Sequence, residues 1–227
     1  MSKIRSVYQL QERLDTDFSW RVVEVSFLNS LLRSAPERKK NSVIRANIPV
    51  LYAHWEGFVK IAAKCYLEFV SCQNLKYEEL HDSFVAIGLY KELSQYGVKV
   101  GKLGNIMSVD FMRNKMSQTA VFPKEGVINT KSNLNSEVLK EILSLIGISE
   151  TPYLTKSNFI DESLLARRNS IAHGEYIDVT QDSYKEISDE VIGLMRSFKN
   201  DIENHASLEL FKRTVGRISG APSAKLA

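Results

Sequence analysis

The chain has 227 residues, of which 44% are hydrophobic and 25% are charged, and its formal net charge is +3. This composition is that of a soluble globular domain with a sizeable core. The small net charge excludes a histone-like polycation but allows a local basic groove. No window approaches 18 uninterrupted apolar residues, so we expect no membrane span. The first residues, MSKIRSVYQLQERLD, lack the apolar run of a secretory leader, and we therefore expect a cytoplasmic protein.

Most of the chain has apolar positions three or four residues apart, which predicts amphipathic helices. A first helix is predicted over about 4–33, and the stretch 34–42, with its proline and charges, is interpreted as a connection. The strongest periodicity runs over 44–69 and predicts a long helix with one deeply buried face. Pro49 lies near the start of this helix and either kinks it or, with Asn47 as a cap, indicates a later beginning.

The second half of the chain contains one segment that the periodicity does not explain. A third helix is predicted over 76–95, but the stretch 97–132 is interrupted by glycines. Within it TAVFPKEGVIN predicts either a small hairpin or an irregular loop insertion. Helices resume at about 134–147, 158–173 and 181–217. We expect an all-α bundle of long antiparallel helices, forming a single domain over 1–217, and a disordered tail over 218–227.

The segment ARRNSIAHGE, residues 166–175, places a permanent cation and a titratable imidazole on a short apolar run. We name residues 166–175 the motif segment. On a straight helix Arg168 falls in the middle of the apolar stripe, whereas Arg167 points the other way. Because a guanidinium does not lose its charge, Arg168 must meet a carboxylate, a bound phosphate or a partner surface. Without a functional site, the same pattern fits an interior arginine paired with a glutamate and a histidine at a helix C-terminus.

His173 lies about 140° around such a helix from Arg168 and about 7.5 Å along its axis. The two side chains therefore do not share a face of one straight helix. They converge if the helix end unwinds, or if two copies of the segment face each other across a symmetric dimer. Gly174 predicts that the helix ends at this point.

The motif segment resembles the R-x4–6-H motif of HEPN domains, with a polar residue, Asn169, directly after the arginine. The likeness extends to its context in LLARRNSIAHGE, an apolar helix that ends in His-Gly. It also includes the upstream helix YAHWEGFVKIAAKCYLEFV, which contains Glu56. The stretch FSWRVVEVSFL resembles the leading helix of a bacterial HEPN branch known from toxin and defence loci. The resemblance covers roughly residues 10–205.

This resemblance implies a HEPN-type helical bundle and a metal-independent endoribonuclease in a toxin–antitoxin or antiviral-defence role. Two protomers would pair as a homodimer, and their two motifs would form one composite site for RNA. Arg168 would hold the scissile phosphate, and His173 would act as general base or acid. Asn169 would orient the phosphate or the histidine. An antitoxin or regulatory protein is a possible further partner, and the alternative is an inactive module that binds RNA or a nucleotide or scaffolds a partner protein.

Other candidate residues are weaker as signals. Glu56 lies beside the apolar stripe of the long helix and is either the partner of Arg168, a support for the site, or a half-exposed flank residue. Arg167, Lys39 and Lys40 would contact RNA phosphates or simply form a solvated face. The histidines and cysteines do not have metal-ligand spacing, and no phosphate-binding glycine motif occurs, so we predict no metal and no cofactor.

Overall fold

The computed structural model describes residues 3–97, 101–123 and 125–214, and in these ranges the chain is helical with two isolated β-bridges. The α-helices in the described ranges are α1 (Val7–Ser34), α2 (Glu37–Ser71), α3 (Asp82–Gln95), α4 (Lys102–Asn114), α5 (Ser136–Leu145), α6 (Thr151–Leu154), α7 (Arg167–Ala172) and α8 (Gln181–Ser207). A 3₁₀-helix at Tyr77–Glu79 precedes α3, and a π-helix at Phe159–Ala166 runs directly into α7. The predicted all-α fold class is confirmed.

The three longest helices, α1, α2 and α8, pack against one another around the core. α1 runs antiparallel to α2, since the Ile4 N–H donates to Glu68 near the end of α2 and Arg21 donates to the His54 carbonyl near its middle. α2 and α8 instead run parallel, as three successive contacts show: Asn47–Tyr184, Trp55–Phe198 and Tyr66–His205. The centre of the bundle is therefore the apolar face of α2, whose periodicity was the strongest in the sequence.

The prediction of a connection over 34–42 is wrong, because α2 already begins at Glu37. Pro49 lies inside the helix, where a proline costs about 3 kcal/mol through its missing N–H and its clash with the preceding turn. Asn47 does not cap a later helix; it is buried and donates to the Tyr184 hydroxyl at 3.3 Å. Contacts of this kind on the first turns of α2 hold them in line with the rest of the helix.

The stretch 97–132 contains an α-helix, α4, that its glycines did not suggest. In the described part of 119–129 no hairpin forms, and the segment joins the fold through an isolated bridge between Lys76 and Thr119. The Tyr77 hydroxyl explains this arrangement, because it donates to the Val121 carbonyl at 3.1 Å and accepts from the Val121 N–H at 3.0 Å. A buried side chain thus replaces the partner strand that a hairpin would have needed.

The last helix, α8, is shorter than predicted and ends at Ser207 rather than near 217. The backbone reverses at Glu209, with φ of +53°, and the chain then pairs back through a bridge between Leu80 and Lys212. The tail that was predicted to be disordered lies outside the described residues. Among the described helices, none is both long and apolar enough to cross a membrane.

Two helical glycines give a matched test of this packing. A Cβ on Gly88 of α3 would overlap the ring of Tyr77, whereas a Cβ on Gly193 of α8 would meet nothing within 4 Å. We expect Gly88→Ala to lower the free energy of unfolding by about 1–3 kcal/mol through overpacking. Gly193→Ala should raise it by about 0.5–1 kcal/mol, since glycine is a poor helix former. Urea denaturation measures both, and a fully stable Gly88→Ala protein would contradict the close approach of Tyr77.

Candidate active site

The motif segment does not lie on one straight α-helix. The π-helix Phe159–Ala166 contributes the buried side chains Ile160, Leu164 and Leu165, and α7 continues from it without a break. A π-helix takes up more residues in each turn than an α-helix. The residues after it are therefore rotated from the positions that a regular α-helix would give them. As a result Arg168 is half-buried at the surface rather than in the middle of a buried stripe.

The guanidinium of Arg168 is held by neutral groups. Its Nη1 donates to the side-chain oxygens of Asn133 at 3.0 Å and Asn169 at 2.7 Å, and its Nη2 donates to the Ser132 carbonyl at 3.4 Å. The central carbon of the guanidinium, Cζ, lies 4.7 Å from the ring centroid of Tyr52, within cation–π range. In the described ranges no carboxylate pairs with Arg168. Its positive charge therefore stays available to a bound anion.

Tyr52 connects the arginine to the interior of the bundle. The side chain is 1% exposed, and its hydroxyl accepts the Leu134 N–H at 2.5 Å. Burial raises the pKa of Tyr52 above that of an ordinary tyrosine, the Leu134 N–H opposes the rise, and the nearby Glu56 carboxylate adds to it. The phenol therefore stays neutral, and its ring makes the cation–π contact with Arg168.

Glu56 lies one helical turn after Tyr52 on α2 and is half-buried. It does not form an ion pair with Arg168, so the direct pairing that the sequence left open is not present within the described residues. The Glu56 carboxylate instead helps to raise the pKa of the Tyr52 hydroxyl. The carboxylate thus supports the ring below the guanidinium without neutralising it.

Two of the three oxygen atoms that accept from Arg168 come from residues 129–135, NTKSNLN, which we name the asparagine loop. Lys131 and Ser132 have φ of +54° and +59°, a left-handed conformation that costs a non-glycine residue about 1–3 kcal/mol. The Asn129 side chain accepts the Lys131 N–H at 2.8 Å and stabilises this turn. The strained backbone presents the Ser132 carbonyl and the Asn133 side chain to the arginine.

The asparagine loop is fastened at its far end as well. Asp161 of the π-helix accepts hydrogen bonds from the Ser136 N–H at 2.7 Å and from the Ser136 hydroxyl at 2.6 Å. The loop is therefore tied to α2 through Tyr52 and to the π-helix through Asp161. We name the oxygen acceptors of Arg168 on Ser132, Asn133 and Asn169 the oxygen cage. The two ties hold this cage and the arginine together as one unit.

The imidazole of His173 makes no hydrogen bond within this unit. His173 is exposed at the C-terminal end of α7. Its backbone N–H donates to the Asn169 carbonyl at 2.9 Å, and Gly174 follows with φ of +82°. The helix end at Gly174 is thus where the sequence indicated. The imidazole makes no hydrogen bond to Arg168 or to another residue in the described ranges. One chain brings Arg168 and Asn169 together but leaves His173 free at the surface.

The predicted basic contacts are distributed around the motif segment. Arg167 is half-buried and donates to the Ser183 hydroxyl of α8 at 3.1 Å, which fastens α7 to α8. Lys40 forms an ion pair with Glu37 at 2.7 Å, and Lys39 is exposed on the first turn of α2. Arg167 and Lys40 therefore have contacts that the sequence did not show, while Lys39 is exposed.

The first turns of α2 also hold the chain that leaves the motif segment. Arg45 donates to the Glu175 carbonyl at 2.8 Å and lies 5.3 Å over the ring of Tyr176, and Asn41 donates to Asp178 at 2.6 Å. The end of α7 is thus fixed against the same helix that carries Tyr52. Among the described residues no three side chains of the metal-ligating types come together.

Sequence reasoning missed Tyr52 and the asparagine loop. Tyr52 was not singled out on the long helix, and the loop crosses the boundary between the unexplained stretch 97–132 and the helix predicted from about 134. One signal was available: NTKSNLN is rich in asparagine, whose side chain stabilises turns by bonding to nearby backbone, as Asn129 does with the Lys131 N–H. The partner of that turn, 82 residues away along the chain at Tyr52, had no local signal.

A family model described as RiboL-PSP-HEPN matches residues 16–204. The matched range includes α2, the asparagine loop and the motif segment. No curated protein and no solved structure matches the chain.

The Tyr52 hydroxyl can be tested against a second tyrosine of the same helix. Tyr52→Phe leaves the buried Leu134 N–H without an acceptor and should lower the free energy of unfolding by about 1–3 kcal/mol. Tyr66 is equally buried on α2, but its hydroxyl has no hydrogen-bond partner. We therefore expect Tyr66→Phe to leave stability unchanged or to increase it. Urea denaturation compares the two, and an equal loss in both would contradict the anchoring role of Tyr52.

Proposed function

The chain belongs to the RiboL-PSP-HEPN family, and from this premise we propose that it is an endoribonuclease that cleaves RNA without a metal ion. The observation that carries the proposal is the environment of Arg168, whose partners are neutral oxygens and an aromatic ring. A permanent cation with no carboxylate partner is suited to a phosphodiester, whose oxygens form charge-assisted hydrogen bonds with a guanidinium. The rigid mounting of the cation lowers the reorganisation needed when charge develops on the phosphate.

In the proposed reaction the ribose 2′-oxygen attacks the adjacent phosphorus atom. His173 removes the 2′-hydroxyl proton as a general base, and an imidazolium donates a proton to the departing 5′-oxygen. Arg168 stabilises the negative charge that builds on the non-bridging oxygens. The products are a 2′,3′-cyclic phosphate and a 5′-hydroxyl. Histidine suits both proton transfers because its ordinary pKa lies near neutrality.

We place this chemistry at a composite site in a homodimer. Within the described residues of one chain the imidazole of His173 makes no hydrogen bond to Arg168, and about 140° of helix rotation separates two positions five residues apart. A second copy of the motif segment supplies the missing group without unwinding α7. Asn169 holds the guanidinium in its cage, and Glu56 supports it through Tyr52.

The basic residues around the site are proposed to bind the RNA backbone. Lys39 and Lys40 lie near the residues of α2 that hold the chain after His173. Lys39 is exposed and suited to phosphates flanking the cleaved bond, whereas Lys40 would first have to release Glu37. Arg167 contributes less, because its guanidinium already bonds to Ser183. The proposed setting is a toxin–antitoxin or antiviral-defence system, in which an antitoxin or regulatory protein silences the nuclease.

A second candidate function is binding without cleavage. The cage around Arg168 is complete without His173, so an RNA or nucleotide phosphate can be held by the arginine alone. Such a module would bind RNA or scaffold a partner protein. The two functions differ in their dependence on His173, which a binding module does not need.

The direct test is cleavage of total RNA by the purified protein in excess EDTA. We expect Arg168→Ala to reduce the rate by about 100-fold to 1,000-fold and His173→Ala to reduce it by about 100-fold or more. Arg113→Ala, which removes an exposed arginine from α4, should cleave like the wild type. End-group analysis should find the cyclic phosphate. Full activity of His173→Ala would overturn the site. RNA binding by the wild type and His173→Ala but not by Arg168→Ala, without cleavage by any of them, would support the second function.

A mixture of the two inactive variants tests the composite site. When Arg168→Ala and His173→Ala chains are coexpressed, each mixed dimer can combine the arginine of one chain with the histidine of the other. We expect partial activity from the mixture and none from either variant alone. An inactive mixture, with mixed dimers shown by differently tagged chains, would place the arginine and histidine of each site on the same chain.

A further inference from the structure

Asn133 is an exposed residue whose side chain and backbone are both held by hydrogen bonds. Its Oδ1 accepts from Nη1 of Arg168 at 3.0 Å. Its backbone N–H donates to the Thr130 carbonyl at 3.1 Å, and its own carbonyl accepts the Asn135 N–H at 2.9 Å. Thr130 is 3% exposed, so the turn that carries Asn133 is anchored in the interior. Asn133 is therefore a fixed group at the surface of the candidate active site.

Arg168 decides which end of the Asn133 amide faces it. A guanidinium has five N–H donors and no acceptor, so the amide must present its oxygen to the arginine. A rotation of the amide by 180° would set its NH2 group against Nη1 and lose a charge-assisted hydrogen bond. An asparagine without such a partner can turn either its oxygen or its NH2 group toward a ligand. Asn133 has only its NH2 group left to offer, which makes it a donor and not an acceptor.

The NH2 group of Asn133 makes no hydrogen bond within the residues that the structure describes. Much of the guanidinium beside it is already engaged. Tyr52 covers one of its faces, and Nη1 donates to both Asn133 and Asn169. The donors left for a phosphate are Nε and the N–H of Nη2 that does not bond to Ser132. Because the phosphate takes that edge, the NH2 group of Asn133 remains for another part of the bound nucleotides.

We propose that Asn133 reads the base of a nucleotide beside the cleaved bond and selects a keto base, uracil or guanine. The proposal rests on the proposed function, in which Arg168 holds the phosphate of that bond. Uracil and guanine present a carbonyl oxygen at position 4 or 6, where cytosine and adenine present an amino group. A fixed donor pairs with the carbonyl and is left unpaired by the amino group. Proteins that recognise single-stranded RNA read base edges by hydrogen bonds of this kind.

Asn169 is the matched residue for this proposal. Its Oδ1 accepts from the same Nη1 at 2.7 Å, so the arginine fixes its amide in the same sense. Asn169 is half-buried and directly follows Arg168 on α7, whereas Asn133 is exposed on the asparagine loop. The exposed donor is the one that a base can approach. We therefore assign base reading to Asn133 and support of the guanidinium to Asn169.

The test uses DNA oligonucleotides that contain one ribonucleotide, so that a single 2′-hydroxyl and a single bond are available. Cleavage in excess EDTA is measured with the base on the 5′ side of that bond varied, and then with the base on the 3′ side varied. In one of the two series we expect kcat/KM to be about 10-fold higher for the keto bases than for cytosine and adenine, because the amino bases leave the donor unpaired. Inosine, which keeps the carbonyl at position 6, should behave like guanosine.

Three variants separate base reading from support of the arginine. Asn133→Ala should bring the ratio of keto to amino bases close to one. Asn133→Asp keeps one oxygen toward Arg168 and offers a second oxygen to the base, so it should invert the ratio in favour of cytosine and adenine, at a lower overall rate. Asn169→Ala should lower the rates for all four bases by the same factor. Equal rates in the wild type, or a preference that persists in Asn133→Ala, would overturn the proposal.

Binding tests the reading of the base separately from the reaction. Fluorescence polarisation compares 2′-O-methyl oligonucleotides of uridine and of cytidine, which lack the attacking hydroxyl. Tighter binding of the uridine oligonucleotide that Asn133→Ala abolishes, without RNA cleavage by the wild type, would support base reading and refute the nuclease. Cleavage in EDTA at equal rates for all bases would support the nuclease and refute base reading. Equal binding of the two oligonucleotides together with no cleavage would refute both.

Discussion

The site depends on how a permanent positive charge is held at the surface of an apolar bundle without being neutralised. Arg168 lies over the ring of Tyr52 and donates to oxygens of Ser132, Asn133 and Asn169, all of them neutral. A carboxylate in place of one of these groups would stabilise the arginine more strongly, but it would compete with a phosphate for the same donors. These neutral acceptors orient the guanidinium without neutralising its charge.

α2 is the element through which this cage is connected to everything else. Its core face packs on α1 and α8, its first turns hold the chain after His173, and Tyr52 reaches both the arginine and the asparagine loop. Pro49 interrupts its backbone hydrogen bonding, yet the helix continues, because Asn41, Arg45 and Asn47 on the earlier turns are anchored to other elements. A change in the path of α2 would therefore alter the surroundings of Arg168.

Irregular backbone near the site has a definite role in this arrangement. The π-helix rotates the start of α7, which moves Arg168 from a buried stripe to the surface. The left-handed residues Lys131 and Ser132 direct two oxygens toward it. Both features cost conformational energy, and both persist because the surrounding contacts determine them. Strain of this kind is common where a protein prepares a binding geometry in advance.

The sequence by itself determined the helical class, the deep face of α2 and the helix end at Gly174, and it singled out Arg168 and His173 as candidates. These features are local, since apolar spacing and the preferences of glycine act over a few residues. Tertiary structure decided which groups surround the arginine. Tyr52 meets Leu134 across 82 residues of chain and Arg168 meets Asn133 across 35, and no local pattern encodes such pairs. It also decided that Arg21 is buried while Trp20 and Phe27 are exposed, because which side of an amphipathic helix faces the core depends on its neighbours.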